Sequence, residues 1–235
     1  MVTFSPSPEE ENFRGEIKDF VRLQFSALVR KPSSDSFVNA ARALAHAGLF
    51  RCTERTAQNP QGSWTNLAIA LEEIGRADLN SAFMMSAINV YLPMIEDSSI
   101  VQSIMSGNSV MTIAETDGTS DGVSRLQTSA SRPDDGWIVH GLKKNIEGLP
   151  GADFVLITAV VEEDSSTKAM FLVDVTQKGV SIESGPNLGA YSRDLGVLTL
   201  DNVVVPSDRV IVDMSTAVPN FSVGLLPDSF AIIGS

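Results

Sequence analysis

The segment VMTIAETDGTSD, residues 110–121, divides the chain into two parts of different character. It begins with a short apolar run that favours a strand and continues into an acidic turn of small residues, Glu115–Gly122. Before it, apolar residues recur at helical spacing, whereas after it short β-prone runs alternate with turns. Helices in one block followed by strands in another are typical of an α+β protein.

The residues before this segment predict an all-helical N-terminal domain, residues 1–108. Ser7-Pro8-Glu9-Glu10 is a capping box, and the apolar residues after it form one stripe that ends at Leu28. Further helices are predicted over Phe37–Ala47, from Thr65 to Gly75, over Leu79–Leu92 and in a short stretch ending at Ser106. The stretch Leu79–Leu92 is apolar nearly all round, which predicts a central buried helix whose Met84 and Met85 fill the core.

Residues 109–214 predict an antiparallel β-sandwich or barrel domain, because no helical pattern separates the β-prone runs. Asp134-Asp135-Gly136 is predicted to be a hairpin turn. The stretch 215–235 is a modestly apolar tail in which Ser229–Ile233 is compatible with the start of a helix. The β-prone runs are Val110–Ile113, Arg125–Ala130, Trp137–His140, Phe154–Val161, Ala169–Val173, Val180–Ile182, Val197–Leu200 and Val203–Val205.

Composition excludes several classes of protein. A formal net charge of −12 argues against a nucleic-acid partner, since nothing would release counterions from phosphates. The single cysteine, Cys52, cannot form an internal disulfide, and two histidines provide no cluster at metal-ligand spacing, so we expect no metal site. Neither a secretory signal nor an apolar run long enough to span a membrane is visible, and we therefore expect a cytoplasmic protein.

Few side chains suggest chemistry on their own. Glu72 and Glu73 point about 100° apart on a helix, which favours a solvated helix face over a shared acid–base site. Lys143 and Lys144 are interpreted as exposed surface lysines, and His140 as an outward polar position on its strand. The amides of the turn Glu115–Gly122 could cradle a phosphate, although an ordinary turn explains the same residues.

Segment 110–121 resembles the acyl-CoA dehydrogenase signature A-x-x-x-T-E-P-x-A-G-S-D. Upstream, AGLF at 47–50 and EIGRAD at 73–78 resemble two helical motifs of that family. Downstream, GLKKNIEG at 141–148 stands in the place of G-x-K-x-W-I-T-N, and residues 188–206 resemble the family's LGMR strand pair. The motifs occur in the family's order over roughly residues 40–212, and the chain is identified by this resemblance as a member of the family.

The resemblance implies a helical domain, a β-domain and a C-terminal four-helix bundle, with FAD and the acyl thioester between the β-domain and the bundle. In the family the catalytic glutamate comes from the bundle, and this sequence stops where the bundle should begin. The resemblance therefore implies no catalytic residue in this chain. It implies an oligomer, homomeric or heteromeric, in which another chain supplies the bundle.

The resemblance also assigns binding residues. Ser120 and Asp121 are expected to contact the phosphate-bearing part of the ligand. Three expected flavin contacts depart from the family. Ala114 and Glu147 stand where the family has threonine, and Asn145 stands where it has tryptophan. A carboxylate about 4 Å from a reduced, anionic flavin would be repelled by roughly 4 kcal/mol at an effective dielectric of about 20. The full set of expected cofactor-binding residues is Met111, Ile113, Ala114, Ser120, Asn145, Ile146 and Glu147.

Three functions follow from the resemblance. The favoured one is a component of a split or heteromeric FAD-dependent enzyme that introduces an α,β double bond into an acyl-CoA or acyl-carrier-protein thioester. The alternative is a degenerate, non-redox thioester-binding or structural subunit that has lost FAD. A flavin-dependent hydroxylase on the same fold is the third. The sequence alone also leaves open that these residues are a fragment of a longer protein.

Overall fold

The computed structural model describes residues 6–29, 35–54, 64–117, 126–133, 136–185 and 195–211. Helices fill the first part of the chain and strands the second, which confirms the predicted α+β class. The helices are α1 Pro8–Phe20, α2 Ser26–Val29, α3 Ser36–His46, α4 Trp64–Gly75, α5 Leu79–Tyr91 and α6 Ser98–Met105. The strands are β1 Met111–Ala114, β2 Ser129–Ser131, β3 Trp137–Glu147, β4 Phe154–Val161, β5 Asp164–Asp174, β6 Val180–Ser184, β7 Leu195–Val205 and β8 Val210–Ile211.

The capping box at the start of α1 is confirmed. The Ser7 hydroxyl accepts a hydrogen bond from the Glu10 amide at 3.2 Å, and the Glu10 carboxylate accepts one from the Ser7 amide at 2.7 Å. A π-helical turn, Val21–Phe25, separates α1 from α2 and was not predicted. Its wider turn leaves Phe25 fully buried while Leu23 stays 64% exposed.

Helix α5 is the central helix of the first half, as its composition predicts. All but two of its residues are buried, and Met84 and Met85 belong to the core. The Asp78 carboxylate caps its first turn by accepting a hydrogen bond from the Ser81 amide at 3.0 Å. Because α5 packs against α3, α4 and β1, it holds the helices against the sheet.

The strands form one eight-stranded sheet in the order β6-β7-β3-β2-β4-β5-β8, with β1 paired to β4. Most pairs are antiparallel, as predicted, but β1 and β2 each run parallel to β4. Neither β1 nor β2 is consecutive with β4 in sequence, and strands that no hairpin joins can pair in either direction.

Several strand boundaries differ from the predictions. Strand β3 continues past His140 to Glu147, and the two runs at 197–200 and 203–205 are one strand, β7, which bends at Asn202 with φ 53°. The run predicted from 125 contributes only Ser129–Ser131 to the sheet within the described residues. Asp134, Asp135 and the 229–233 segment lie outside those residues, although β2 and β3 on either side of the hairpin turn pair antiparallel as expected.

Two hydrophobic cores meet at β4. Leu156 packs with the helices and with Met111 of β1 in the first core. Val155, Ile157 and Ala159 belong to the second core, which side chains of the strands form among themselves. Every residue of β4 except Phe154 and Val160 is buried, because one face of the strand covers each core. No helix of the described residues is both long and apolar enough to cross a membrane.

An ion pair joins the start of α6 to the end of the sheet. The Arg209 guanidinium donates to the Asp97 carboxylate at 2.9 Å, and the amides of Glu96 and Asp97 both donate to the Asp208 carbonyl at 3.0 Å. The Asp97 carboxylate also accepts the Ser99 and Ile100 amides at the helix start. These bonds add a polar connection to the apolar contact between helices and sheet.

Gly148, which follows β3, lies close against helix α3. It adopts a left-handed conformation, φ +67°, and a Cβ atom there would lie 2.3 Å from the Phe37 ring of α3. Only glycine meets both conditions without strain. The end of β3 is therefore fixed against the helices by the absence of a side chain.

We expect G148A to lower the free energy of unfolding by about 1–3 kcal/mol, because the methyl group displaces the Phe37 ring and the backbone strains. The matched control is G15A in α1, where an added Cβ meets nothing within 4 Å and the free energy of unfolding should rise by about 0.5–1 kcal/mol. Urea denaturation of both variants measures the difference. Equal stability of G148A and the unaltered chain would contradict this account of the helix–sheet contact.

Candidate functional site

A cleft of about 300 Å³ lies between α5 on one side and the ends of β1 and β3 on the other. Its helical wall is mostly apolar, whereas its strand wall carries carboxylates, an ammonium group and an amide. Such a combination of apolar surface with a few polar groups is typical of small-molecule sites. The lining residues are Phe37, Asn80, Phe83, Met84, Ser86, Ala87, Val90, Tyr91, Met111–Thr116 and Lys144–Glu147.

The strand wall contains every sequence-predicted cofactor residue that the structure describes. Two segments 30 residues apart in sequence reach it, one from β1 and one from the end of β3. Ser120 and Asp121 lie outside the described residues, and so does the greater part of the predicted phosphate-binding turn. The predicted residues at the cleft are Met111, Ile113, Ala114, Asn145, Ile146 and Glu147.

A bulge at the end of β3 turns two consecutive side chains toward the cleft. The register with β7 shifts between Lys143 and Ile146, and Asn145 takes a left-handed φ of 58°. Lys144 and Asn145 are therefore both exposed, which strict alternation along a strand would not allow. Asparagine tolerates this backbone conformation better than most residues, so the bulge explains its presence.

Two side-chain bonds fix the walls of the cleft. The Thr112 hydroxyl donates to the Glu147 carbonyl at 2.5 Å and so joins β1 to the end of β3. The Tyr91 hydroxyl donates to the Glu115 carboxylate at 2.9 Å and so joins α5 to the residue that follows β1. The helical and strand walls are thereby held at a set separation.

A buried ion pair lies behind the strand wall, and it corrects the prediction that Lys143 is a surface residue. The Lys143 ammonium is 0% exposed and donates to the Asp117 carboxylate, 3% exposed, at 2.8 Å. Asp117 also accepts the Thr128 hydroxyl at 2.8 Å, the Thr128 amide at 3.1 Å and the Gln127 amide. Thr128 also packs closely against β3: a Cβ atom on Gly141 would lie 2.6 Å from the Thr128 hydroxyl oxygen, so this position of β3 requires glycine.

The surroundings of this pair shift the pKa values of both Lys143 and Asp117. Burial lowers the pKa of Lys143 below its ordinary 10.5, and the bond to Asp117 and the charge of Glu115 oppose that shift without cancelling it. Burial alone would raise the pKa of Asp117, but the bonds from Lys143, Gln127 and Thr128 outweigh it, and the pKa lies below 3.8. The bonds therefore favour the charged form of Asp117, whereas burial disfavours the charged form of Lys143.

The neighbouring carboxylates Glu72 and Glu73 also differ from their prediction as a solvated face. Arg14 of α1 donates to Glu72 at 2.8 Å and to Glu73 at 2.6 Å, and Arg76 binds both as well. The side chain of Glu73 is only 5% exposed. These residues connect α1 to α4 and are not part of the cleft.

Sequence reasoning missed the helical wall of the cleft. Asn80, Phe83, Ala87 and Tyr91 recur at helical spacing along α5, but the helix is apolar nearly all round and its sequence indicates no particular face. Only the packing of β1 against α5 identifies the side that lines the cleft. No group of three or more metal-ligating side chains occurs in the part of the chain that the structure describes.

Comparison with known proteins agrees with the fold. Residues 110–203 match the sequence family described as "Acyl-CoA dehydrogenase, middle domain". The chain is 21% identical, over 89% of its length, to a glutaryl-CoA dehydrogenase of Desulfococcus multivorans, and 25% identical, over 66%, to a 3-(aryl)acrylate reductase of Clostridium sporogenes. The matches span 59% and 45% of those two relatives.

Solved structures share the same architecture. The crystal structure of a glutaryl-CoA dehydrogenase from Mycobacterium smegmatis superimposes with a TM-score of 0.80 at 16% identity, over 97% of this chain and 62% of that one. At this level of identity the likeness shows the fold alone. The helices followed by the mixed sheet are thus a known arrangement.

We expect K143M to lower the free energy of unfolding by about 3–5 kcal/mol, because it leaves the Asp117 carboxylate buried without its cation. The matched control is K144M, one residue along and exposed, which should change stability by less than about 0.5 kcal/mol. The double variant K143M/D117N should recover most of the loss. If K143M and K144M unfold at the same urea concentration, the ion pair does not hold the strand wall.

The lowered pKa of Asp117 predicts an acid dependence of stability. Because the folded carboxyl has a lower pKa than the unfolded one, the pair contributes fully above pH 3.8 and less as the pH falls through the lowered value. The difference in unfolding free energy between the unaltered chain and D117N should therefore shrink at acid pH. A difference that stays constant from pH 7 to pH 2 would show that Asp117 is not bonded as described.

Proposed function

Residues 110–203 match the acyl-CoA dehydrogenase middle domain, and from this match we propose that the chain is one component of an FAD-dependent oxidoreductase. Its cleft holds FAD and an acyl-CoA or acyl-carrier-protein thioester, and the reaction is α,β-dehydrogenation of the acyl group. A second polypeptide supplies a helical bundle that carries the catalytic base. The names of the two curated relatives, a dehydrogenase of an acyl-CoA and a reductase of an acrylate, support this reaction class.

One observation carries the proposal. Residues that the family resemblance selects from two separate stretches of sequence, 111–114 and 145–147, lie together on one wall of one cleft. Convergence of this kind is what a preformed ligand site requires, and it is independent of the sequence similarity over the helices. The Tyr91–Glu115 and Thr112–Glu147 bonds hold the two walls in place before any ligand arrives.

The residues of the cleft are compatible with an isoalloxazine ring. Met111, Ile113 and Ile146 provide apolar surface, and the Lys144 ammonium stands on the same strand wall as the Glu147 carboxylate. Lys144 reduces the net negative charge that a ring would meet there. FAD, when bound, would supply a two-electron acceptor for the hydride that leaves the β-carbon.

The described residues position and shield the ligand and do not take its proton. The Glu115 carboxylate already accepts the Tyr91 hydroxyl, and α5 covers the cleft with Phe83, Ala87 and Val90, which exclude water. These features support a base that comes from a second chain.

A second candidate function rests on Glu147. Its position on the strand wall places a carboxylate in a cleft where reduction of a flavin would add negative charge. Asn145 and Ala114 remove an aromatic wall and a hydroxyl that the family has at these positions. These three residues favour a subunit that binds a thioester without FAD.

Equilibrium binding of the two ligands, measured separately, distinguishes the candidates. Flavin fluorescence measures FAD and isothermal calorimetry measures butyryl-CoA, each with the full chain. The proposed oxidoreductase component binds both. Binding of the thioester alone would select the non-redox subunit, and binding of neither would contradict both functions.

We expect E147Q to raise the reduction potential of FAD held by the chain. Removal of one negative charge from the cleft stabilises the reduced state, and a tenfold change in the equilibrium constant of a two-electron couple corresponds to about 30 mV. A shift of at least about 30 mV should appear in dye-equilibrated titrations. E183Q, on the exposed face of β6, is the matched control and should leave the potential unchanged; an equal potential in E147Q would show that Glu147 does not face the ring.

A further inference from the structure

Ser86 of α5 carries an unexplained polar atom. The residue is 1% exposed, and its hydroxyl oxygen is the one buried side-chain polar atom, among the described residues, that has no hydrogen-bond partner. Buried hydroxyl groups in folded proteins nearly always have a partner, because an unpartnered one has lost its hydrogen bonds to water without replacement. The helix therefore carries an unfavourable polar group among its buried residues.

The location of Ser86 indicates what its partner is. Ser86 contributes to the lining of the cleft, and the lining residues within one turn of it on α5 that carry no donor or acceptor are Phe83, Ala87 and Val90; the polar lining residues Asn80 and Tyr91 lie farther along the helix. The hydroxymethyl group has three staggered rotamers, and the hydroxyl can either donate or accept. A ligand in the cleft is then the group that completes its hydrogen bonding.

Charge in the cleft restricts the chemistry of that ligand. Glu115 and Glu147 both stand on the strand wall, and Lys144 is the one cation among the lining residues. Two carboxylates against one ammonium disfavour an acyl group that ends in a further carboxylate. A neutral polar group has no such penalty.

We propose that Ser86 is a specificity-determining residue that hydrogen-bonds a neutral polar substituent, such as a hydroxyl, on the acyl group of the ligand. The inference rests on the proposed function, since it places the acyl group of a thioester beside α5. It names the substrate class as hydroxyacyl thioesters, in preference to unsubstituted or dicarboxylic ones. A site that satisfies a ligand hydroxyl discriminates strongly against an analogue without it, because its own polar group is then left without a partner.

The experiment compares two probes of equal chain length, 3-hydroxybutyryl-CoA and butyryl-CoA, by isothermal calorimetry on the full chain. The unaltered chain should bind the hydroxylated probe about tenfold more tightly. In S86A this preference should fall to about twofold or less, chiefly through weaker binding of the hydroxylated probe. The matched control is S106A, directly after α6, where the Ser106 hydroxyl already donates to the Ser103 carbonyl outside the cleft; it should keep the full preference.

One further measurement, thermal unfolding, makes the outcomes distinct. Thermal unfolding of S86A should match or exceed that of the unaltered chain, because alanine removes an unpartnered polar atom; a lower unfolding temperature would show that the hydroxyl is bonded within the helix and would overturn the inference. If both probes bind but S86A keeps the preference, the inference fails and the proposed function stands. If neither probe binds the unaltered chain, both fail.

Discussion

The buried pair of Lys143 and Asp117 is the interaction on which the site depends. The Asp117 carboxylate accepts hydrogen bonds from Lys143 of β3 and from Gln127 and Thr128, which precede β2. Asp117 itself lies shortly after the end of β1. Three parts of the chain are thereby held at one point behind the cleft. A pair this deeply buried stabilises the fold only while both charges are present, since either one alone would be uncompensated in the interior.

The arrangement of the cleft follows from this point of attachment. Lys143 holds β3 in place, and the bulge at Asn145 directs Lys144 and Asn145 toward the cleft. The bond from the Thr112 hydroxyl to the Glu147 carbonyl then joins the end of β3 to β1. Gly148 then brings the end of β3 under Phe37, so the strand wall and the helices meet at a fixed distance. The cleft is thus formed by backbone geometry, and its ligand preference is left to the few polar side chains that face it.

The sequence predicts the fold well because its signals are local. Helical spacing, the capping box at Ser7 and the β-prone runs each depend on near neighbours, and the structure confirms them. Lys143 could not be separated from Lys144 in this way, because its burial depends on a carboxylate 26 residues earlier. The parallel pairing of β1 with β4 and the cleft-facing side of α5 likewise depend on contacts between distant segments, which periodicity does not encode.

The central claim is that one cleft, between α5 and the ends of β1 and β3, receives the ligand. Hydrogen–deuterium exchange with and without FAD and a CoA thioester tests it most directly, since ligand contact slows exchange of the amides that line a site. The account predicts slower exchange in residues 79–91, 111–116 and 144–147, with the outer strand β6 unchanged. Slower exchange confined to other segments, with these three unaffected, would contradict it.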